Sequence, residues 1–217
     1  MAKATSESVN WTEGLIVKTF GLIKTFDAFP LLDNWLKVEN NLTPRDNEEL
    51  EYRRWQLLKK VNSWNEETLK MKFIAFVLAL GQMEDGNDYN TYFEETISAT
   101  VEGKYLKTKT DFMIAKGVLD LPIKPFFHFQ EWKRHKDPNG DPVAQLLEAF
   151  LIAQEINKNS KPLYGCTISG KYWDFFTIQD KTYCISKTYD CTDPLELLQI
   201  ISILRKFKDI LHTKLLD

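Results

Sequence analysis

The sequence predicts a mixed α/β (α+β) fold, with a central mixed sheet flanked by helices and a helical N-terminal extension. Three observations support this prediction. Apolar residues recur with helical spacing through the first 62 residues and again over residues 65–81, an alternating strand pattern begins at Phe93, and helices that start at Asp-Pro pairs follow the strands. The apolar fraction is 43%, with 14 Phe, 8 Tyr and 6 Trp, so the chain has ample material for a packed core.

The helical periodicity divides the chain into two predicted regions. Residues 1–62 form the extension, in which Leu32, Trp35 and Leu36 are spaced for burial on one side of a helix. Residues 63–217 form the core. We expect the extension to pack beside the core and to carry no chemistry of its own.

The predicted core opens with a helix and three strands. Asn65 is the expected cap of the helix and Gly81 its expected end. Three alternating segments follow, and Glu102-Gly103 suits a hairpin turn between the first two, so we expect three antiparallel strands in succession. These strands have the sequences ETISATVEG, YLKTKTDFMIAKG and PFFHFQEWK.

A helix, further strands and a last helix complete the predicted core. Asp141 is the expected cap of a helix that begins at Pro142, and Asp193-Pro194 starts the C-terminal helix in the same way. Glu148 and Glu155 are expected on the solvated face of the first of these helices. Between the two helices, LYGCTISGKYWDFFTI and KTYCISKTY have the pattern of strands. The predicted order is therefore αβββαβ.

Charged residues at the end of the third strand are the first indication of chemistry. Alternation places Phe127, Phe129, Glu131 and Lys133 on one face, which therefore changes from apolar to charged. Asp111 lies in the neighbouring strand, so one carboxylate from each strand would meet at a single cation. Carboxylate oxygens are ligands that Mg²⁺ (or Mn²⁺) prefers. The pattern predicts a metal site at Asp111 and Glu131.

A metal site of this kind would act on phosphate. Bound Mg²⁺ polarises a phosphoryl oxygen and lowers the pKa of a bound water, and Lys133 would position that water or stabilise the transition state. The segment 101–136 holds eight Lys and Arg against four Asp and Glu, which suits contact with a nucleic-acid backbone. Lys107, Lys109 and Arg134 are the candidate contacts.

A simpler interpretation of these charges stays open. Glu131 and Lys133 would form an ion pair at the strand end, and Asp111 would face solvent. A Glu-x-Lys triplet is also a weak signal by itself, because the chain contains a second one, Glu102-Gly103-Lys104, at the predicted hairpin turn. The first triplet is favoured since it follows an apolar strand and has an Asp on the neighbouring strand.

The segments TDFMIAKG and FHFQEWK resemble the half motif and the Glu-x-Lys motif of the PD-(D/E)XK nuclease superfamily. The stretch DPVAQLLEAFLIAQEINKNSKPLYGCTISGKYWDFFTI is similar to the helix and strand that follow the motif in restriction-endonuclease-like members and in small bacterial proteins of this type. The resemblance covers residues 64–210. It implies a restriction-endonuclease-like αβββαβ core and Mg²⁺-dependent cleavage of DNA or RNA.

Applied to this sequence, the resemblance implies that Asp111 and Glu131 bind the metal and that Lys133 is the catalytic lysine. It also implies additional site residues from the two core helices, which are Glu66, Glu67 and Gln145.

Two positions depart from the family pattern. Thr110 stands where a proline precedes the Asp, and Ala149 stands where a Tyr completes the exonuclease-type pattern, which argues against an exonuclease. The leading hypothesis is a metal-dependent nuclease that acts on DNA. The alternative is a catalytically silent nuclease-fold protein that binds nucleic acid or a partner protein. A partner subunit that supplies target recognition stays open, because no helix-turn-helix or zinc finger is visible in the sequence. A homodimer also stays open.

The amino-acid composition limits the partners and the cellular location that we expect for the protein. The net charge of -3 indicates no global positive field for nucleic acid, although a local patch is compatible with it. Three cysteines without C-x-x-C spacing fit reduced thiols in a cytosolic protein and argue against a disulfide framework or a thiolate zinc site. The longest apolar run, at residues 73–80, is too short to span a bilayer, and the N-terminus lacks an apolar signal core. We therefore expect a cytoplasmic protein with no membrane partner.

Overall fold

A computed structural model describes residues 10–39, 42–133 and 140–216. These residues form a mixed α/β structure in which an eight-stranded sheet lies between helices on both faces. The strands are β1 (Ile23–Lys24), β2 (Asn90–Val101), β3 (Lys104–Val118), β4 (Leu121–Lys133), β5 (Leu163–Ser169), β6 (Tyr172–Gln179), β7 (Thr182–Ile185) and β8 (Tyr189–Asp190). The helices are α1 (Glu13–Phe20), α2 (Pro30–Leu36), α3 (Pro44–Lys60), α4 (Glu66–Leu69), α5 (Ala75–Leu80), α6 (Pro142–Asn157) and α7 (Pro194–Ile210).

The sheet is mixed, as the sequence predicted. Its strands run in the order β1-β7-β6-β5-β4-β3-β2, and β8 pairs with β6. The pairs β1–β7 and β4–β5 are parallel, and the other pairs are antiparallel. The predicted succession of three antiparallel strands is confirmed as β2, β3 and β4, and α6 connects β4 to its parallel neighbour β5.

The N-terminal region contributes a strand as well as helices. β1 extends the sheet by pairing with β7, while α1 contacts α6 and α2 contacts α7. A two-residue strand has no periodicity of its own to reveal it, so its position depends on the tertiary structure. The division of the chain into an extension (1–62) and a core (63–217) stays a prediction.

Local sequence signals set several element boundaries. Asp141 and Asp193 cap α6 and α7, each by accepting two backbone N–H groups, and a proline takes the first position of both helices. Asn65 caps α4 by accepting the Thr68 N–H. Glu102 and Gly103, with φ angles of 48° and 78°, form the hairpin turn between β2 and β3. These predicted signals are confirmed.

The helix predicted over residues 65–81 is interrupted in its middle. A π-helical turn, Lys70–Ile74, joins α4 to α5. Such turns are rare and frequently lie at functional sites. This one begins at a lysine whose side chain reaches Asp111 on β3.

Two apolar clusters cover the two faces of the sheet. Neighbouring strand residues such as Phe112 and Met113 belong to different clusters, as the alternation of a strand requires. One cluster includes Trp35 of α2 and Phe207 of α7, and the other includes Phe150 of α6. The sheet is therefore buried on both sides.

One part of the predicted face assignment in β4 is wrong. Phe126 packs with Phe129, whereas Phe127 belongs to the opposite cluster. The pairing of β4 with β3 changes register on both sides of Ala115, and a bulge of this kind exchanges the faces of the strand beyond it. The alternation is regular from residue 128 onward, so Glu131 keeps the face of Phe129.

Gly165 of β5 allows α6 to lie close to the sheet. A Cβ added there would be 2.7 Å from the Phe129 carbonyl oxygen and 2.9 Å from Phe150 Cζ. We expect Gly165→Ala to lower the free energy of unfolding by about 1–3 kcal/mol, because the backbone and the helix must move apart. Gly14→Ala is the matched control: a Cβ at this exposed helical position meets no atom of the described residues within 4 Å. Urea denaturation should show an unchanged or increased stability for Gly14→Ala; an equal loss in both variants would contradict the packing argument.

Candidate active site

The two predicted carboxylates lie side by side in the sheet. Phe112 pairs with Gln130 across β3 and β4, and Asp111 and Glu131 come one residue beyond that pair. On the other side of β3, Glu94 of β2 lies across from Asp111, between two paired positions. Acidic side chains from three adjacent strands thus form one row.

Asp111 is held by two hydrogen bonds. Its Oδ2 accepts the Trp132 backbone N–H at 2.6 Å, and its Oδ1 accepts the Lys70 ammonium at 3.0 Å. Asp111 is only 8% exposed, so it does not face solvent as the simpler interpretation required. Burial raises the pKa of Asp111 above its ordinary value, although both hydrogen bonds act in the opposite direction.

Glu131 is buried without a hydrogen-bond partner. It is 1% exposed, and neither carboxylate oxygen has a partner among the described residues. Burial first, and the Asp111 carboxylate second, raise the pKa of Glu131 well above its ordinary value, whereas Lys133 lowers it. An isolated buried carboxylate is costly in its charged form. Protonation or a bound cation would remove that cost.

Lys133 ends β4 beside the two acids. Its side chain is half-buried, and its charge lowers the pKa of both Asp111 and Glu131. The structure therefore brings the three predicted catalytic residues into one neighbourhood. Their roles stay predictions.

The π-helical turn supplies a cation that the sequence reasoning missed. Lys70 Nζ lies 2.8 Å from Glu94 Oε1, 3.0 Å from Asp111 Oδ1, 3.0 Å from Glu66 Oε1 and 3.6 Å from Glu67 Oε1. Burial lowers the pKa of Lys70, but the hydrogen bonds to Glu94, Asp111 and Glu66 outweigh it and raise the pKa above its ordinary value. Glu66 and Glu67, two of the predicted additional site residues, are thus linked to Asp111 through Lys70.

Glu94 was not predicted as a site residue either, because no catalytic or metal-binding residue was expected in β2. Its backbone is left-handed, with φ 58°, at the point where the strand passes Asp111. The ammonium groups of Lys109, at 2.6 Å, and Lys70 lower the pKa of Glu94 to about 2. Lys109, a predicted nucleic-acid contact, therefore already engages an acid of this row.

The remaining predicted site residues are Gln145, Lys107 and Arg134. Gln145 lies in the first turn of α6, and its Oε1 is buried without a partner in the described part of the chain. The Lys107 side chain is exposed on β3, as a backbone contact requires. Arg134 lies outside the described residues.

Glu148 is not on a solvated face of α6, so that expectation is wrong, whereas Glu155 is exposed as expected. Glu148 is 7% exposed, and its Oε1 accepts the Lys107 backbone N–H at 3.2 Å. Burial raises the pKa of Glu148 to about 7, although that hydrogen bond opposes the shift. Because α6 is apolar around most of its circumference, its sequence shows no clear polar face, and the burial of Glu148 could not be predicted from the pattern.

We expect Glu148→Gln to stabilise the metal-free protein at pH 8. The folded protein holds the Glu148 proton up to pH about 7, while the unfolded chain loses it near 4.5, so its contribution to stability falls as the pH rises through that window. Glutamine keeps the acceptor and has no charge to bury. Urea denaturation in EDTA should show a gain on the order of 3 kcal/mol at pH 8 and almost none at pH 4.5. Equal effects at the two pH values would contradict this.

The donor set of the row fits an oxygen-preferring divalent cation. Glu131 offers two buried oxygens that no described residue contacts by a hydrogen bond, and Asp111 lies beside it. Within the described residues, however, no three His, Cys, Asp or Glu side chains are already grouped as metal ligands. Lys70 stands among Asp111, Glu94 and Glu66 instead. A cation that bound Asp111 would require this ammonium to move.

No protein-family model matches the chain, and no curated protein matches it. Seven chains of solved structures match. One belongs to a cryo-electron-microscopy structure of a DrdV–DNA complex, with a TM-score of 0.41 and 11% sequence identity. The match covers 76% of this chain and 14% of that one. Separately, none of the helices in the described residues combines the length and apolar character needed to cross a membrane.

Proposed function

We propose that the protein is a metal-dependent nuclease that hydrolyses phosphodiester bonds of nucleic acid, with DNA as the favoured substrate. The observation that carries this proposal is Glu131. Among the described residues, neither oxygen of this carboxylate has a partner, and it lies beside a second buried carboxylate, Asp111, and an ammonium group, Lys133. A divalent cation would provide the missing partner for Glu131. The element order of α4–α5, β2, β3, β4, α6 and β5 supports a restriction-endonuclease-like core around this site.

In this proposal the chain's own residues bind and orient the reactants. Asp111 and Glu131 would hold Mg²⁺ (or Mn²⁺), and the Trp132 N–H fixes the Asp111 carboxylate in position. The metal, when bound, would polarise a phosphoryl oxygen and lower the pKa of its water. Lys133 would orient that water or stabilise the negative charge that develops on the phosphate. Lys107 and Lys109, exposed along β3, would contact the backbone of the nucleic acid.

A cleavage assay tests the proposal. Single- and double-stranded DNA and RNA are incubated with the protein in Mg²⁺ or Mn²⁺, and in EDTA. We expect metal-dependent cleavage, reduced on the order of 10³-fold by Asp111→Ala and by Lys133→Ala. The second Glu-x-Lys triplet is the matched control: Glu102→Ala and Lys104→Ala remove a carboxylate and an ammonium at the hairpin between β2 and β3, and both should retain full activity.

One observation favours a second candidate function. Lys70 already neutralises Asp111 in the described structure, which would suit a catalytically silent protein that binds nucleic acid or a partner protein. No cleavage under any of these conditions, or cleavage that survives both Asp111→Ala and Lys133→Ala, would favour this candidate over the nuclease.

A further inference from the structure

The Lys70 ammonium occupies the centre of an acidic cluster formed by Glu66, Glu67, Glu94 and Asp111. All four carboxylates lie within 3.6 Å of Nζ, and three of them lie within 3.0 Å. Few lysines are so enclosed by acids, because one positive charge cannot balance four negative ones. The four carboxylates of the cluster therefore surround the Lys70 ammonium.

A second, independent observation indicates that the carboxylates around Lys70 can accommodate more positive charge than the ammonium groups beside them supply. Glu131 lies next to Asp111, is almost fully buried and has no partner for either oxygen in the part of the chain that the structure describes. Counting only described residues, and with Glu131 included, five carboxylates face three ammonium groups, those of Lys70, Lys109 and Lys133. Replacing the Lys70 ammonium by a dication would bring the charges closer to balance.

We propose that the Lys70 ammonium competes with the metal for Asp111. In the metal-free protein the ammonium binds the Asp111 carboxylate, and it moves away when a divalent cation binds. This inference rests on the proposed function, since it concerns the same metal site. The reason for exclusion is electrostatic: Lys70 Nζ contacts Asp111 Oδ1 at 3.0 Å, and a dication on the same carboxylate would repel it.

The structure offers Lys70 a position to move to. Of its four carboxylate neighbours, Glu67 has the longest contact, 3.6 Å, and a side chain that is 76% exposed. A lysine head group on a flexible four-carbon stem can turn toward such a residue without leaving its ion pairs entirely. Glu66, four residues before Lys70 and also partly exposed, lies on the same route.

Calorimetric titration with Mn²⁺ and with Mg²⁺ tests the competition. Lys70→Met removes the ammonium and keeps a long, unbranched side chain. We expect it to bind the metal on the order of tenfold more tightly than the wild type, as for two ligands that exclude each other. Lys72→Met is the matched control, since Lys72 lies in the same π-helical turn but is exposed. It should bind as the wild type does.

Amine labelling tests the same inference in the wild-type protein, so it does not depend on the folding of a variant. Peptide mass spectrometry measures acetylation of Lys70 and Lys72 with and without saturating Mn²⁺. Lys70 is buried in the metal-free structure, and we expect its labelling to increase several-fold with metal while that of Lys72 stays constant. Lys70 labelling that stays constant or falls would overturn the inference.

The outcomes separate this inference from the proposed function. Metal binding to the wild type that is unchanged or weakened by Lys70→Met would overturn the competition and leave the nuclease proposal in place. Tighter binding to Lys70→Met supports the competition. No binding of either metal to the wild type or to Lys70→Met at millimolar concentrations would overturn both.

Discussion

Replacing Glu131 with glutamine is expected to abolish the proposed cleavage and, at the same time, to stabilise the metal-free protein. Glutamine has nearly the same shape but cannot carry the charge that would bind a cation. Because Glu131 is buried and neither of its oxygens has a partner within residues 10–39, 42–133 and 140–216, its ionised form opposes folding. Cleavage should fall at least on the order of 10³-fold, and thermal unfolding at pH 8 in EDTA should show a gain of about 1 kcal/mol or more, or roughly 2–4 °C in Tm.

This opposition between stability and activity separates a functional carboxylate from a structural one. Glu155→Gln is the matched control, because Glu155 is exposed on α6 and pairs only weakly, at 3.8 Å, with Lys158. It should leave both cleavage and Tm unchanged. A Glu131→Gln protein that is less stable than the wild type in EDTA would mean that the carboxylate has a stabilising partner, and the reasoning from its burial would fail.

The second large effect concerns the fold. Trp35→Ala is expected to lower the free energy of unfolding by about 3–5 kcal/mol, the range typical of large-to-small changes at a buried aromatic. Trp35 is fully buried, and its Nε1 donates to the Ile203 carbonyl of α7 at 2.8 Å. Its ring also packs edge-on against Tyr164 and Phe175 at centroid distances of 5.2 Å. Trp35 therefore packs α2 against both α7 and the sheet.

Trp55→Ala provides the comparison for this prediction. Trp55 is 52% exposed on α3, with Lys59 lying over its ring. Its loss should cost about 0.5 kcal/mol or less. Urea denaturation of the two variants measures the difference directly. Similar losses for Trp35→Ala and Trp55→Ala would contradict the role assigned to α2.

Much of the fold could be predicted from local signals. Caps at Asp141 and Asp193, followed by proline, marked two helices within a residue of their observed starts. The Glu102-Gly103 turn marked a hairpin because both residues adopt positive φ. The strand β1 could not be predicted, since its two residues become a strand only through pairing with β7.

The candidate site was also predictable only in part, because some of its contacts depend on tertiary structure. Strand periodicity and the family resemblance singled out Asp111, Glu131 and Lys133, which the register of β3 and β4 brings together. Lys70 and Glu94 were missed. Glu66, Glu67 and Lys70 have the i,i+3 and i,i+4 spacing of helical ion pairs, but nothing local shows that the lysine also reaches Asp111 across the fold.

The most direct test of the account is the position of Mn²⁺ in a crystal of the wild-type protein, read from its anomalous scattering. We expect a peak in contact with the carboxylates of Asp111 and Glu131, with the Lys70 ammonium displaced from Asp111 Oδ1, and no such peak in Asp111→Asn. Density at saturating Mn²⁺ that shows no metal between these carboxylates, with Lys70 still bonded to Asp111, would contradict it.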